Sequence, residues 1–322
     1  MALRVFSSGG GVQSTAALVL SAQGKINYPV HVFANVGDKA ESPATIVYVR
    51  DVIKPYAAEH GIEWVEVCKR DKDGNLIDLY DYTMTSTHSI PIPVRMAGSG
   101  APGNRTCTQD WKIEVISRFL MNEVLSKSPN LKSIALKSSN RIRKEFRDSL
   151  SKAASQLTPE EKTILRLKVL REVAPIYADY SPCVLAKGIS TDEAHRARTD
   201  SGFAHYSVEY PLIDLNLSRQ DCHDIILGAG LPIAPKSSCW FCPFKTLDRW
   251  QDMRREEPEQ FAMSVNMEKT LSDRAVKLGR GAMYFTSRGT SKNASLDEVT
   301  SDQMSLFDDW NLDFCESGFC MT

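Results

Sequence analysis

The stretch Leu3-Arg4-Val5-Phe6-Ser7-Ser8-Gly9-Gly10-Gly11-Val12-Gln13-Ser14-Thr15 decides the fold. Leu3 to Ser7 is a short β-like run, Gly9-Gly10-Gly11 is a turn, and Thr15 to Ala22 is an Ala/Leu-rich helix start. A strand that feeds a helix through glycines opens a βαβ unit. At such a junction the first N–H groups of the helix and the positive end of its dipole make an anion site. The glycines allow positive φ and let the backbone approach phosphate oxygens closely. The segment has neither the Lys-Ser/Thr ending of a Walker A loop nor the spacing of a dinucleotide fingerprint. A glycine turn that only packs is the alternative.

Outward from this stretch, strand and helix signals continue to alternate. Val30 to Val36 reads as a second buried strand, Pro43 to His60 as a helix, and Ile62 to Val67 as a third strand. Alternation of this kind implies parallel βαβ units in a doubly wound α/β sheet. Residues 68–106, rich in Gly, Pro, Ser and Thr, read as a long active-site loop region, and Asp110 to Leu125 returns to helical periodicity. Residues 139–175 read as a charged helical insertion, broken where Thr158-Pro159 makes a helix start. Pro182 to Ile189 is a strand, Ser190 to Arg196 turns into a helix, and Ser218 to Leu227 is helical. A helix pair covers 246–278, with Pro258 opening its second member, and 287–322 reads as a loosely held tail. The domains expected are 1–245, an α/β nucleotide-binding unit with an insertion at about 139–178, and 246–322, C-terminal helices with an acidic, cysteine-containing tail.

Composition narrows the class. With 322 residues, 42% hydrophobic and 25% charged, the chain reads as globular, not disordered or fibrous. No apolar run approaches the ~20 residues that span a bilayer. Met1 to Phe6 leads straight into the first strand, so no signal peptide is expected and the setting expected is cytoplasmic. The net charge of −1 excludes a global field that recruits nucleic acid. Its distribution is uneven. Residues 137–172 hold ten Lys/Arg against five Asp/Glu, whereas 295–322 hold seven Asp/Glu and no Lys or Arg. A basic arm of this kind suits a phosphate backbone, and a merely solvated face is the alternative.

Five segments in order resemble the PP-loop (adenine nucleotide α-hydrolase-like) superfamily, closest to its phosphoadenosine phosphosulfate (PAPS) reductase-like branch. They are Gly9 to Thr15, Phe33 to Asp38 with Glu41-Ser42-Pro43, Arg105 to Ile113, Gly188 to Arg196, and Ser238 to Phe244 with its Cys-x-x-Cys-Pro. Two loop positions depart from the usual Ser-Gly-Gly-x-Asp-Ser: Gly9 stands at the first Ser and Gln13 at the acid. The resemblance implies a Rossmann-like parallel sheet that binds ATP, or adenylyl sulfate or PAPS, at the carboxyl ends of its strands. It implies Mg2+-assisted cleavage of ATP between the α and β phosphates, giving an adenylated intermediate. Carried over residue by residue, Ser8, Gly9, Gly10, Gly11, Gln13, Ser14 and Thr15 would hold the phosphates. Asn35, Gly37 and Asp38 would lie near the adenosine. Gln13, Ser14, Lys112, Glu193 and Arg196 are the catalytic candidates.

Eight cysteines without a secretion signal argue for metal or redox chemistry over a disulfide framework. Thiolates two residues apart, as in Cys239-Trp-Phe-Cys242, suit one metal centre, and a following Pro occurs in iron–sulfur runs. Cys107 stands at a helix start beside Arg105 and near Lys112, where a thiolate is favoured. The set expected is a 4Fe–4S cluster on Cys107, Cys239, Cys242 and a tail cysteine, Cys315 in preference to Cys320, with structural Zn2+ as the rival. Two cysteines packed in a Trp/Phe-rich core are the third alternative. Cys68, Cys183 and Cys222 read as core.

The reductases of the branch resemble one another in a C-terminal Glu-Cys-Gly-Leu-His element, whereas this chain ends Phe314-Cys315-Glu316-Ser317-Gly318-Phe319-Cys320-Met321-Thr322. Cluster-bearing adenylyl-sulfate reductases carry a Cys-Cys pair where Cys107-Thr108 stands here. The expectation shifts to relatives that activate a substrate with ATP and move sulfur, as in DNA phosphorothioation and tRNA thiolation. A PAPS or adenylyl-sulfate reductase using a tail cysteine is the second expectation, and a nucleotide-binding module without chemistry the third. The partners expected are a small-molecule nucleotide, and nucleic acid along 137–172. Gln303-Met304-Ser305-Leu306-Phe307 resembles the short peptide that binds the bacterial sliding clamp; an apolar tail segment folding back is the alternative.

Overall fold

Central to the molecule is a five-stranded, all-parallel sheet of order β3-β2-β1-β5-β6. The computed structural model describes residues 3–87, 89–97, 100–127, 183–197 and 206–301. The expected insertion at 139–178, the basic stretch 137–172, Gln303 to Phe307, Cys315 and Cys320 lie outside the described residues.

β1 (Leu3–Ser8) lies between β2 (Val30–Asn35) and β5 (Cys183–Lys187); β3 (Glu63–Cys68) and β6 (Ser207–Glu209) close the two edges. All six residues of β2 are buried, as a strand covered on both faces must be. Register is set by apolar pairs such as Val5↔Val30, Val32↔Val65 and Val5↔Leu185.

One face is covered by α1 (Val12–Ala22) and by α2 (Pro43–Tyr48), which passes through a π turn (Val49–Ile53) into α3 (Lys54–Glu59). Phe6, Ala16, Phe33, Ile53 and Ile226 meet there. The helix expected from Thr15 begins three residues earlier, directly at the glycine turn. The other face is covered by α6 (Glu114–Lys127), whose Ile116 and Leu120 pack on Val5, Val32 and Leu185.

A third core is aromatic: Trp111, Trp240, Phe241, Trp250, Phe261 and Phe285 gather beyond the carboxyl end of β2. Each fully buried side chain of this size contributes on the order of 1.5–3 kcal/mol. It draws on both sides of the 245/246 boundary.

Region 68–106 is less irregular than its composition suggests. It contains α4 (Leu79–Thr85), capped by the Asp78 carboxylate, and β4 (Arg95–Met96), antiparallel to β7 (Met283–Tyr284). A short α5 (Thr106–Thr108) and a π turn (Gln109–Ile113) lead into α6. Residues 190–196 form a 3-10 turn (Thr191–Arg196), after which come α7 (Pro211–Asp214) and α8 (Arg219–Gly228), the latter opened by a Ser218 capping box. α9 (Leu247–Glu256) and α10 (Pro258–Lys277) are the expected pair, with Pro258 at the first turn.

The expectation of a loose tail from 287 fails for its first fifteen residues. α11 (Ser287–Lys292) and α12 (Leu296–Val299) are packed, with Leu296 and Val299 fully buried. Glu268 fastens them to α10 by accepting the N–H groups of Phe285 and Leu296, both at 2.6 Å. No helix among the described residues is long and apolar enough to cross a membrane.

Candidate functional site

The chain leaves β1 toward β2 on one side and later returns to β5 on the other. In doubly wound sheets, ligands bind outside the carboxyl ends of the strands at such a reversal. A pocket lies there, lined by Ser8, Gly9, Ala34, Ile113, Lys187 and Lys112 among others.

The glycine turn is built for its bend. Gly10 has φ +72, and a Cβ there would stand 3.0 Å from Thr45 Cγ2 and 3.1 Å from Val49 Cγ2. Gly11 caps α1 in an extended conformation, and the first turn of the helix carries no acidic side chain. Ser14 and Thr15 shape the turn themselves. The Gly11 N–H donates to Ser14 Oγ at 3.1 Å, and Ser14 Oγ donates back to the Gly11 carbonyl at 3.0 Å. Thr15 Oγ1 donates to the same carbonyl at 2.9 Å. Gln13, in the first turn of α1, is buried.

Beneath the turn, Ser8 Oγ is 3.0 Å from His31 Nδ1, and Ser21 Oγ is 3.2 Å from His31 Nε2. Burial pushes the His31 pKa down to about 3. A neutral imidazole has one N–H, so it donates to one serine and accepts from the other. The Ser8 hydroxyl is thereby fixed from below.

Asn35, Gly37 and Asp38 form a network at the carboxyl end of β2. Asn35 Nδ2 donates to Asp38 Oδ1 at 2.9 Å and to Glu66 Oε1 at 2.8 Å, while the Gly37 N–H donates to Asn35 Oδ1 at 2.8 Å. Glu193 and Arg196 are paired with each other, both side chains about one-tenth exposed. Glu193 lines a separate recess with His195, Ser218 and His223, and is not among the residues lining the loop pocket.

Three of the expected thiols come into one neighbourhood. Cys239 and Cys242 are joined by a tight turn, the Cys242 N–H donating to the Cys239 carbonyl at 3.2 Å. Cys107 is the middle residue of α5, its N–H bonded to Pro91 O at 2.9 Å, and Arg105 stacks on Phe244 at 5.0 Å, linking the two cysteine segments. Burial, and then the neighbouring Cys242, push the Cys107 thiol up; the Arg105 and Lys112 charges oppose that shift. Burial and the Glu41 carboxyl raise Cys239 well above the ordinary thiol value, again against Lys112. Lys112 both lines the loop pocket and lies within the field of these thiols.

Glu41 is the residue that sequence reasoning missed. It is 1% exposed, and neither carboxylate oxygen has a hydrogen-bond partner. Desolvation raises its pKa, with Lys112 opposing. In the sequence it stands one residue before Ser42, the N-cap of a helix start, where an acid is ordinary. Only burial distinguishes it.

The chemistry of this donor set, three thiols and an orphaned carboxyl, fits a thiophilic cation. The side chains are not closed on one point: among the described residues, no three His, Cys, Asp or Glu side chains are grouped as a metal site. Comparisons with family models, curated proteins and solved structures gave no match to the chain.

Proposed function

We propose that the chain is an ATP-using adenylating enzyme of the PP-loop type, in its PAPS reductase-like branch, with a cysteine-ligated metal centre that serves sulfur transfer to a nucleic acid. The observation that carries this is Lys112, which lines the glycine-turn pocket and also lies within the field of Cys107 and Cys239. A nucleotide seated in the pocket would have the thiol set beside it.

In this proposal the amides of the turn and the end of the α1 dipole hold the triphosphate. Lys112 and Lys187 neutralise charge that develops when a substrate oxygen attacks the α-phosphorus, the bond to the β-phosphate breaks and pyrophosphate leaves. Ala34 and Ile113 supply the apolar wall a purine requires. Mg2+, when bound, would supply further positive charge to the phosphates. The centre, as a 4Fe–4S cluster or Zn2+, would be held by Cys107, Cys239 and Cys242, and it would supply sulfur delivery or substrate fixation respectively.

Calorimetric titration of ATP with Mg2+ tests the site. Wild type binds, and Lys112→Ala weakens binding by about tenfold or more, the equivalent of one charge-assisted hydrogen bond. Absence of binding by wild type, or unchanged affinity in the variant, contradicts the proposal. Pyrophosphate release on adding DNA or tRNA under anaerobic conditions then separates adenylation from the reductase alternative, which consumes adenylyl sulfate or PAPS with a thiol reductant and no ATP.

A further inference from the structure

Glu41 stands opposite Cys239 in an isolated antiparallel bridge. The flanking bonds define the pair: the Ser42 N–H donates to the Ser238 carbonyl at 3.1 Å, and the Trp240 N–H donates to the Ala40 carbonyl at 3.3 Å. Glu41 and Cys239 are therefore a non-hydrogen-bonded pair. Side chains of such a pair leave on the same face, with Cα atoms ~4.5 Å apart. The backbone alone thus aims a carboxyl group along the first thiol of the Cys-x-x-Cys turn.

Other buried carboxylates among the described residues are satisfied. Glu268 accepts two backbone N–H groups and Asp78 caps α4. Glu41 has no bond at either oxygen. A buried carboxyl left without partners costs free energy that an apolar side chain such as Leu at the same position would not. A cation that engages those oxygens removes the cost.

We propose that Glu41 is the fourth donor of the thiol centre, giving a metal site of three thiolates, Cys107, Cys239 and Cys242, and one carboxylate. The proposal rests on the reading of the cysteines as a metal centre, and it replaces the tail cysteine as fourth ligand. Charge balance agrees. Four anionic donors on a centre of charge +2 leave −2, and Arg105 and Lys112 both act on Cys107 from within the neighbourhood. The side chains are not closed on one point without metal, so the proposal requires them to rotate onto the ion about a backbone that already sets Glu41 against Cys239. Oxygen among sulfurs also leaves a weaker, exchangeable position, which is where an incoming sulfur atom would bind.

The test uses the full chain, purified without oxygen, and reads iron, zinc and acid-labile sulfide directly. Co2+ loaded into the chelator-treated protein then reports thiolate number through its sulfur-to-metal absorption. Glu41→Gln keeps the volume and removes the ligand, and is expected to weaken Co2+ binding about tenfold or more in chelator competition. Glu41→Cys is expected to restore binding and raise the thiolate absorption by roughly a third, as three sulfurs become four. Cys315→Ser and Cys320→Ser are expected to change neither. Without metal, Glu41→Leu melts no lower than wild type, because an unpartnered acid has been replaced by an apolar side chain, while it loses Co2+ affinity as Glu41→Gln does, and this separates ligation from a folding defect. If Glu41→Gln keeps full affinity while Cys315→Ser or Cys320→Ser loses it, Glu41 is not the ligand and the metal reading stands. If wild type binds none of these metals, both fail.

Discussion

Gly37 shows how single residues fix the carboxyl end of β2. Its φ is +118, and a Cβ there would stand 2.1 Å from Asp78 Oδ2 and 2.8 Å from the Asp78 Cα. Asp78 cannot retreat freely, because it caps α4 and accepts the Lys39 N–H at 3.0 Å. Gly61 has a comparable positive φ of +66 and open space around it. Gly61→Ala is therefore expected to cost about 1 kcal/mol for the backbone alone. Gly37→Ala is expected to cost roughly 3 kcal/mol, since overlap with a fixed neighbour is added. Urea unfolding of the two variants measures the difference; equal losses would contradict the close approach of Asp78.

At the scale of elements, Glu268 joins α10 to β7 and α12. Desolvation, with a smaller contribution from Glu298, outweighs its two backbone bonds and raises its pKa to about 7. An acid whose folded pKa is raised favours the fold while protonated. Its contribution is complete below pH 4.5 and is lost as pH rises through 7. The stability difference between wild type and Glu268→Gln is expected to shrink by about 3 kcal/mol over that window. Denaturant titrations at pH 4.5 and 7.5 measure it, and a difference constant with pH would show that Glu268 does not titrate in the folded chain. The elements that Glu268 fastens were also the hardest to read. β1, β2 and β5 announce themselves by apolar runs, β3 by Trp64, Val65 and Val67 interleaved with exposed glutamates, and α8 by Ser218 with Asp221 three residues on. Ser295 with Glu298 carries the same capping-box signal, yet α12 is only four residues long and sits in a polar, Gly/Ser-containing stretch. β4 and β7 have two residues each, too few to show a period. α4 is announced only by its Asp78 cap.

Over the whole molecule, the sheet and the aromatic core meet at the site. The sheet brings the ends of β1 and β5 to the glycine turn. The aromatic core docks the Cys-x-x-Cys segment against Ala40 to Ser42, with Trp240 Nε1 donating to the Lys39 carbonyl at 2.6 Å. α5 and its π turn carry Cys107 and Lys112 between the two. The sequence indicated the glycine turn and the thiols separately, because each has a local signature. It could not indicate that Lys112 touches both neighbourhoods or that Glu41 is buried, since those depend on contacts across the fold.

The most direct measurement is a crystal structure with an ATP analogue that resists cleavage between the α and β phosphates. The expected result has its phosphates on the amides of Gly9 to Ser14, Lys112 and Lys187 against its oxygens, and the purine against Ala34 and Ile113. A nucleotide bound elsewhere, or a glycine turn left empty at saturating analogue, would contradict the assignment.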